Sequence, residues 1–368
     1  MFTPETGFAL TKAGITAGEG TQLPKASTDE DLEQVLQQAK AKIVVVGCGG
    51  AGGNTISRIV TSGVYGCETI AINTDAQDLL YTKADRKILI GKDITGGLGA
   101  GNDPTKGENA AREDEPVIKD HVYGMDMVFI TCGLGGGTGT GAAPVVGEIA
   151  KKLGALTMGV VTLPFSVEGT RRKRNAKQGL ERLRAIADTV IVIPNDKLLQ
   201  LAPDLPIGAA FKVSDQLLME AIKGITEMIT KPGLVNLDFA DVRTVLQDGG
   251  IAMVGIGESD TSNRAEEAVE EALNSPLLDV DITGAKGAIV NVTGSPDMTL
   301  DEIEKIIARV SEALDTDANI IWGAQHSENM KNTIQVMVII SGVHSPYALD
   351  HEMARRKGEP IDLGLESL

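Results

Sequence analysis

Two glycine-rich segments carry the residues best suited to hold a phosphate. Residues 47–52 read GCGGAG and fit the pattern G-x-G-x-x-G, with Asp75 lying 23 residues beyond Gly52. Glycine lets backbone N–H groups approach a phosphate closely at the start of a helix. Taken alone, this spacing is typical of a Rossmann dinucleotide site, and the plain alternative is a tight turn without a ligand. We interpret the segment as ligand-binding, but it does not choose the nucleotide.

The second segment, residues 135–141, reads GGGTGTG and narrows the choice. A structural turn needs one or two glycines, and more cost backbone entropy, so we expect a nest of N–H donors and hydroxyls around a phosphate chain. A dehydrogenase has no use for a second such loop, which favours a nucleoside triphosphate. The sequence contains no G-x-x-x-x-G-K-[ST] motif. The phosphate charge must then be met by backbone dipoles and a cation, expected to be Mg²⁺ held mainly by the phosphates and water.

Both segments lie close to where parallel strands would end. Short, continuously apolar, β-branched runs are typical of strands buried on both faces of a sheet, and helical stretches separate most of them. The predicted strands cover residues 42–46, 69–73, 87–90, 127–131, 156–163 and 189–193, and the predicted helices include 108–120, 138–152 and 169–187. This alternation predicts an α/β fold with a doubly wound, mostly parallel sheet. Ligands bind such sheets at the carboxyl ends of the strands.

The second half of the chain is organised differently. A long central helix is predicted over residues 208–230, ended by Pro232 and Gly233. Strands at 251–257, 288–292, 319–322 and 333–341 and helices at 262–273 and 299–314 then predict a smaller α+β domain. The predicted division is a flexible extension (1–26), a nucleotide-binding domain that opens with a short helix (27–206), a central helix (207–231), a loop and helix (232–248), the α+β domain (249–343) and a tail (344–368).

The composition limits which partners the protein can bind and indicates the compartment in which it works. The 368 residues include 34 Lys and Arg against 51 Asp and Glu, a net charge of −17, which argues against a sequence-independent nucleic-acid binder. The 42% of hydrophobic residues can form a core, and three cysteines without metal-ligand or redox spacing fit a reducing cytoplasm. No apolar run reaches the ~18 residues of a membrane span, so membrane association needs a partner or the tail.

The segment 135–141 resembles the signature of the tubulin/FtsZ family of GTPases. Its surroundings resemble the FtsZ branch, the cell-division GTPases of bacteria and archaea, with an archaeal character. The supporting segments, in family order, are GCGGAGGN (47–54), NTDAQ (73–77), GLGAG (97–101), PFSVEG (164–169), PNDKL (194–198), FKVSD (211–215) and GLVNLDFADVR (233–243). The resemblance covers about residues 40–343 and implies binding of GTP and GDP with Mg²⁺.

The resemblance also implies which residues bind the nucleotide. It gives Glu168 and Arg172 to the ribose and phosphates, and Asn195, Phe211 and Asp215 to the guanine pocket. An Asp accepts hydrogen bonds from N1–H and N2–H₂ of guanine, which favours GTP over ATP. Without the family pattern, Phe211 would be a core aromatic and Asp215 part of a solvated helix face. The remaining expected binding residues are Gly49, Gly50, Ala51, Gly52, Gly53, Asn54, Asn73, Asp75, Ala100, Gly101, Gly135, Gly136, Gly137, Thr138, Gly139 and Thr140.

Three polar residues after the central helix are the candidate catalytic groups. The resemblance implies that Asn236, Asp238 and Asp241 complete the GTPase site of the adjoining subunit. The plain alternative is that Asp238 caps a helix whose first turn holds Asp241. The central helix would be ~35 Å long at ~1.5 Å per residue, and its first end lies by the nucleotide. These carboxylates therefore cannot reach their own chain's triphosphate, and a catalytic role requires head-to-tail stacking into a filament.

The expected function is a cell-division GTPase, with itself as partner and with hydrolysis switched on by assembly. We expect it in the cytoplasm, at the division site on the inner face of the membrane, with a tethering adaptor bound by the tail. Two alternatives stay open: a related cytoskeletal protein for cell shape, and a Rossmann NAD(P)-dependent oxidoreductase, which leaves residues 135–141 unexplained. The bacterial tether-binding peptide is not recognisable in 344–368, where residues 361–365 are either another adaptor motif or a frayed end.

Overall fold

The structure is a computed structural model, and it describes residues 40–201, 206–231, 234–235, 237–278, 282, 285–314, 317–328 and 330–343. The strands are β1 (Ile43–Cys48), β2 (Cys67–Asn73), β3 (Arg86–Leu89), β4 (Met127–Gly133), β5 (Leu156–Leu163), β6 (Thr189–Pro194), β7 (Gly250–Ser259), β8 (Gly287–Gly294), β9 (Asn319–His326) and β10 (Ile334–Ser341). The helices are α1 (Gly49–Thr61), α2 (Ala76–Tyr81), α3 (Lys92–Thr95), α4 (Pro104–Glu113), α5 (Glu115–Val122), α6 (Thr138–Lys152), α7 (Thr170–Ile186), α8 (Asn195–Leu201), α9 (Ile207–Thr230), α10 (Phe239–Leu246), α11 (Arg264–Leu273) and α12 (Leu300–Ala313).

The strands form a continuous sheet in the order β3-β2-β1-β4-β5-β6-β7-β10-β8-β9. From β3 to β7 every pairing is parallel, and β1 lies between β2 and β4. All six residues of β1 are buried, because helices cover both faces of the sheet, and this explains why its sequence is continuously apolar. The alternation of strand and helix thus places the carboxyl ends of β1, β4, β5 and β6 along one edge.

The sheet continues without a break into the second half of the chain. Thr189 pairs with Gly250 and Ile191 with Ala252, which joins β6 to β7 in parallel. Beyond β7 the strand directions mix: β10 is antiparallel to both β7 and β8, and β9 is parallel to β8. The C-terminal α+β unit is therefore an extension of the same sheet.

Helices pack on both sides of this sheet and divide the core in two. One side receives α1, α9 and α10 through buried side chains such as Ile56, Ile225 and Leu246. The other receives α6, α7, α11 and α12 through side chains such as Val146, Leu183, Ala268, Ile306 and Val310. This two-sided covering is what an α/β sandwich requires.

The predicted fold class is confirmed, and most predicted elements lie within a few residues of their observed bounds. The single helix predicted over 108–120 is wrong: α4 ends at Glu113 and α5 starts at Glu115, because Pro116 starts a helix well but cannot continue one. The predicted extension (1–26), the N-terminal helix up to residue 39 and the tail (344–368) lie outside the described residues, and the domain division stays a prediction. No helix in the described part of the chain is long and apolar enough to cross a membrane.

Candidate functional site

A cleft of about 290 Å³ lies at the carboxyl edge of β1, β4, β5 and β6, beside the first turns of α9. It collects residues from five separate stretches of the chain. Its lining comprises Cys48, Gly49, Gly50, Ala51, Gly133, Leu134, Gly136, Gly137, Thr138, Gly139, Thr162, Pro164, Glu168, Arg172, Asn195, Phe211, Ser214 and Asp215. Twelve of these were predicted from the sequence as nucleotide-binding residues.

Two glycine loops meet at one end of the cleft, each at the start of a helix. Gly49 opens α1 with φ +71°, and a Cβ there would lie 2.9 Å from the backbone nitrogen of Gly139, in the first turn of α6. Only glycine satisfies both the left-handed backbone and the close approach. The two helix N-termini therefore point their free N–H groups and positive dipole ends into one space, which suits a polyphosphate.

The two threonines of the second loop make hydrogen bonds within the protein. The buried Thr140 hydroxyl accepts a hydrogen bond from the Gly135 N–H at 2.9 Å. The Thr138 hydroxyl shares a hydrogen bond of 2.6 Å with that of Thr74. Thr140 thus fixes the shape of the loop from behind, whereas Thr138 both lines the cleft and ties the loop to the end of β2.

The structure places several expected binding residues behind the cleft wall. Gly52 is buried, and a Cβ there would lie 2.5 Å from the Thr131 carbonyl oxygen, so this glycine lets α1 approach β4. Gly53 packs against Thr82, while Asn54 is exposed on α1. In the described structure these three residues support the helix whose first turn forms the cleft, and nucleotide contacts from them stay a prediction.

The third glycine window, residues 96–101, is anchored to the loop after β2. Asn73 donates to Asp78 at 2.7 Å, and Asp75 caps α2 by accepting from Gln77 N at 2.9 Å. The Gly99 N–H donates to the Thr74 carbonyl at 3.1 Å. Asn73 and Asp75 thus organise this loop, and neither lines the described cleft.

One end of this window contacts the second glycine loop, residues 135–141. Ala100 is buried, and a Cβ on Gly137 would lie 2.8 Å from the Ala100 Cβ; Gly101 is exposed. Asn175, buried on α7, donates to the Gly135 carbonyl at 3.3 Å and to the Asn102 carbonyl at 3.4 Å. Together with Gly49 and Gly139, these contacts join all three glycine windows around one cleft.

The opposite end of the cleft has the features of a base pocket. The Phe211 ring, 39% exposed, packs edge-on against Phe165 with ring centroids 5.1 Å apart. The Asn195 side chain is buried and accepts from Ser214 at 2.7 Å. An open aromatic face beside buried polar groups suits a planar base with hydrogen-bonding edges.

Asp215 is the ionisable group of this pocket. Its side chain is 14% exposed and lies 3.8 Å from the Arg58 guanidinium. Burial raises the pKa of the Asp215 carboxyl to about 6, although the positive charge of Arg58 lowers it. Hydrogen-bond donors of a ligand would therefore stabilise the charged form of this carboxylate.

Glu168 and Arg172 form an ion pair at the rim of the cleft. Glu168 also accepts from the Phe165 N–H at 2.8 Å, which holds it beneath the start of α7. The Glu168 carboxylate therefore already has two partners within the protein. The Arg172 side chain is exposed and lines the cleft, so its positive charge lies at the rim. A cation in this position complements an anionic ligand.

Sequence reasoning missed four residues that support the site: Arg58, Phe165, Asn175 and Ser214. Each acts through another residue: Arg58 on Asp215, Phe165 on Phe211, Ser214 on Asn195, and Asn175 on two loop carbonyls. Their partners lie 19 to 157 residues away in the chain or are backbone atoms, so no local pattern marks them. Of the four, Phe165 and Ser214 lie within segments quoted for the family resemblance, PFSVEG and FKVSD, but neither was predicted as a site residue.

The candidate catalytic carboxylates lie at the far end of α9. Thr230, the last residue of this 24-residue helix, hydrogen-bonds the Tyr65 carbonyl just before β2, at the edge opposite the cleft. Asp238 occupies the N-cap position of α10, where its side chain makes no capping hydrogen bond to the described residues, and Asp241 lies in the first turn. Both side chains are exposed. Asn236 lies outside the described residues.

If the glycine loops hold a polyphosphate, its counter-cation would lie at the same end of the cleft. In the described part of the chain, no group of three or more His, Cys, Asp or Glu side chains could hold a metal ion. Asn102 Oδ1, in the loop that touches Gly137, is buried and has no hydrogen-bond partner among the residues that the structure describes. This oxygen is an unused acceptor beside the second glycine loop, although Asn102 does not line the described cleft.

Comparison with known families covers both halves of the chain. The model for the Tubulin/FtsZ family, GTPase domain, matches residues 42–203. The model for the FtsZ family, C-terminal domain, matches residues 250–344. The first match contains most of the cleft, and the second contains the C-terminal extension of the sheet.

Individual relatives match over nearly the full length. Cell division protein FtsZ 1 of Thermococcus kodakarensis is 56% identical over 369 residues, covering 99% of each chain. Its namesake in Methanocaldococcus jannaschii is 57% identical over 344 residues, covering 94% of each. A solved structure described as an empty FtsZ dimer of M. jannaschii is 59% identical, with a TM-score of 0.83 over 85% of this chain and 92% of the other.

Proposed function

This chain belongs to the FtsZ family of cell-division GTPases, and we propose that it hydrolyses GTP in a site shared by two consecutive subunits of a head-to-tail filament. One subunit supplies the cleft that binds the nucleotide, and the next supplies the carboxylates of α10. The M. jannaschii structure, described as an FtsZ dimer, supports self-association. The membership agrees with the motifs from which the family and its archaeal character were predicted.

The observation that carries the proposal is the separation of the carboxylates from the cleft. Two carboxylates line the described cleft: Glu168 is paired with Arg172, and Asp215 lies in the base pocket. Asp238 and Asp241 lie beyond the other end of a 24-residue helix, about 36 Å long at ~1.5 Å per residue. Water activation needs hydrogen-bond reach, so exposed carboxylates at that end serve another subunit.

In the proposed mechanism, the glycine loops hold the triphosphate and the neighbouring subunit positions the water. The N–H groups at the starts of α1 and α6 bind phosphate oxygens and stabilise the charge that grows on them. Asp238 and Asp241 of the neighbour orient a water and accept its proton while the water oxygen attacks the γ-phosphorus in line. The bond to the β–γ bridging oxygen breaks, and GDP and phosphate remain. Asn236 is proposed to help position the water.

Mg²⁺ supplies positive charge that neutralises the phosphate oxygens. We propose that the phosphates and water would hold it, near the loop of Asn102, whose buried Oδ1 has no hydrogen-bond partner among the described residues. Hydrolysis removes the γ-phosphate from the subunit contact, so it weakens that contact. Assembly activates hydrolysis because it brings the neighbour's carboxylates to the cleft. Hydrolysis then weakens the contact and promotes disassembly of the filament.

Dilution of the protein tests the shared site. Because each cleft needs a neighbour, GTPase activity per subunit should rise steeply above a threshold protein concentration and fall towards zero below it. Phosphate release, measured over a hundredfold dilution beside a pelleting assay, checks this. A constant activity per subunit at every concentration would show that one chain suffices.

Guanine recognition is proposed to depend on the charge of Asp215, and this gives a pH prediction. Its raised pKa, about 6, means that the carboxyl of the nucleotide-free protein is ionised at pH 7.5 and mostly protonated at pH 5. When the Asp215 carboxyl is protonated, its O–H group is itself a donor, so it can no longer accept hydrogen bonds from both N1–H and N2–H₂ of guanine. GTP affinity should therefore be lost as the pH falls through 6, by about tenfold at pH 5.

The terminal phosphate of GTP titrates in the same range, so the control is the variant Asp215→Asn. It should bind GTP more weakly at pH 7.5 and should retain only the pH dependence that comes from the nucleotide. Equilibrium titration with a fluorescent GTP analogue at both pH values separates the two contributions. Parallel pH profiles for parent and variant would refute the role of Asp215.

We also propose where the filament works. The relatives are named as cell division proteins, which supports the division site at the inner face of the membrane. An adaptor that recognises residues 344–368 would tether the filament there. Deleting these residues should disperse a fluorescently tagged filament while leaving its GTPase activity in solution intact.

A further inference from the structure

Helix α7 carries an excess of positive charge in a chain of net charge −17. It contains seven basic residues and one acidic residue, and its first turn contains no acid. The dipole of a helix favours acids, not bases, at this end. Arg171, Arg174 and Lys177 are exposed, and their side chains make no hydrogen bond or ion pair with the residues that the structure describes. Folding stability therefore does not explain these three cations, which we call the basic face of α7.

A groove of opposite charge lies between α11 and α12. It has a volume of about 500 Å³ and is lined by Asn263, Glu266, Glu267, Glu270, Lys305, Ala308, Arg309 and Glu312. Arg309 is already paired with Glu270, and it lies 3.8 Å from Glu312. The basic residue of α11, Arg264, is buried and held by Glu302 at 2.7 Å. The surface of this acidic groove is therefore net negative.

The basic face and the acidic groove match in position and in length. Both belong to helices that pack on the same side of the sheet, α7 through Leu183 and α11 through Ala268. The cations from Arg171 to Lys177 span about 9 Å of helix. The α11 side of the groove, from Asn263 at the N-cap to Glu270, is about 10 Å long at ~1.5 Å per residue. Two chains that face each other with this side can thus bring the two surfaces together.

We propose that the basic face of α7 binds the acidic groove of a second copy of this chain in a neighbouring filament. The proposal rests on the proposed function, because the filament repeats the contact at every subunit. A single exposed charge contact is weak, but a row of them adds up through multivalency. Filaments should therefore associate side by side, whereas dispersed subunits should not.

An anionic membrane is the competing partner for a basic helix face. The net charge of −17 repels the chain from such a surface. Glu181 also interrupts the positive charge further along the exposed side of α7. A second copy offers a groove of the right length and sign, so the observations favour it, and the membrane becomes an outcome of the test.

The test is a charge exchange, read by light scattering and electron microscopy of filaments with GTP. Arg174→Glu with Lys177→Glu should leave the GTPase threshold unchanged and abolish side-by-side pairs. Glu266→Lys with Glu312→Lys should do the same, and all four substitutions in one chain should restore pairing. Added salt should disperse the parental pairs, because it screens exposed charges.

The matched control changes the net charge equally at exposed lysines elsewhere: Lys83→Glu with Lys119→Glu should pair like the parent. Three results would overturn the proposal: normal pairing by the Arg174 and Lys177 variant, equal loss in the control, or no rescue by the fourfold variant. Binding of the same variants to phosphatidylglycerol vesicles is measured in parallel. A defect confined to vesicle binding would assign the basic face to a membrane. Loss of the threshold in the parent would instead contradict the proposed function.

Discussion

Replacing Asp241 by alanine should leave GTP binding and assembly intact and lower turnover per assembled subunit by about 10²–10³-fold. That is the usual cost of removing one preorganised group that acts on the transition state. Asp241 lies exposed in the first turn of α10, at the edge of the sheet opposite the cleft of its own chain. Its loss therefore removes no contact to the nucleotide that its own chain binds. Single-turnover phosphate release from sedimented filaments measures the effect separately from assembly.

A matched control separates catalysis from helix stability. An acid in the first turn stabilises a helix through its dipole, so any such variant loses a little stability. Asp301 occupies the first turn of α12 and is also exposed. Because Asp301 also pairs with Lys305 at 3.0 Å, Asp301→Ala should lose at least as much stability as Asp241→Ala, but with parental turnover. If Asp241→Ala filaments release phosphate at the parental rate, the role proposed for Asp241 is wrong.

The sequence predicted the parallel part of the fold well because buried strands leave a plain signal. In β1 every residue is buried, so the whole strand had to be apolar and stood out between helical stretches. The order of the strands was not predicted. β1 lies between β2 and β4, and β10 lies between β7 and β8; these positions depend on contacts between residues that are distant in the chain. Hydrophobic periodicity carries no information about such pairings.

The candidate site was predictable where glycine or the family pattern marked it. The conformations of Gly49 and Gly135, with φ +71° and +110°, require glycine, and their clustering was visible in the sequence. Because of the same clustering, Gly52 was also predicted to bind the nucleotide, whereas in the structure its small size allows α1 to pack on β4. A glycine that approaches a ligand and a glycine that approaches another backbone look identical in a sequence.

Residues that act through a partner remained hidden. Asn175 lies on the helix predicted over 169–187, where nothing marked it as part of the site, yet its buried amide joins two loops that are 33 residues apart. Arg58 lies 157 residues before Asp215, whose charge it stabilises. In a sequence, an Asn or Arg on a helix does not stand out, and its partner is known only once the fold is known.

Mixing two defective variants tests the shared site most directly. Asp241→Ala retains the cleft and lacks the catalytic end, whereas Asp215→Asn retains the catalytic end and binds GTP poorly. At a GTP concentration that saturates only the intact cleft, each variant alone should be nearly inactive. In an equal mixture, about a quarter of the head-to-tail contacts join an intact cleft to an intact catalytic end.

The measurement is the GTPase rate of the mixture at constant total protein, compared with the two separate variants. We predict recovery to about a quarter of the parental rate, with a maximum at equal proportions, because the number of productive contacts follows the product of the two fractions. If cleft and carboxylates act within one chain, the rate of the mixture will equal the average of the two inactive variants at every proportion, and the shared site is contradicted.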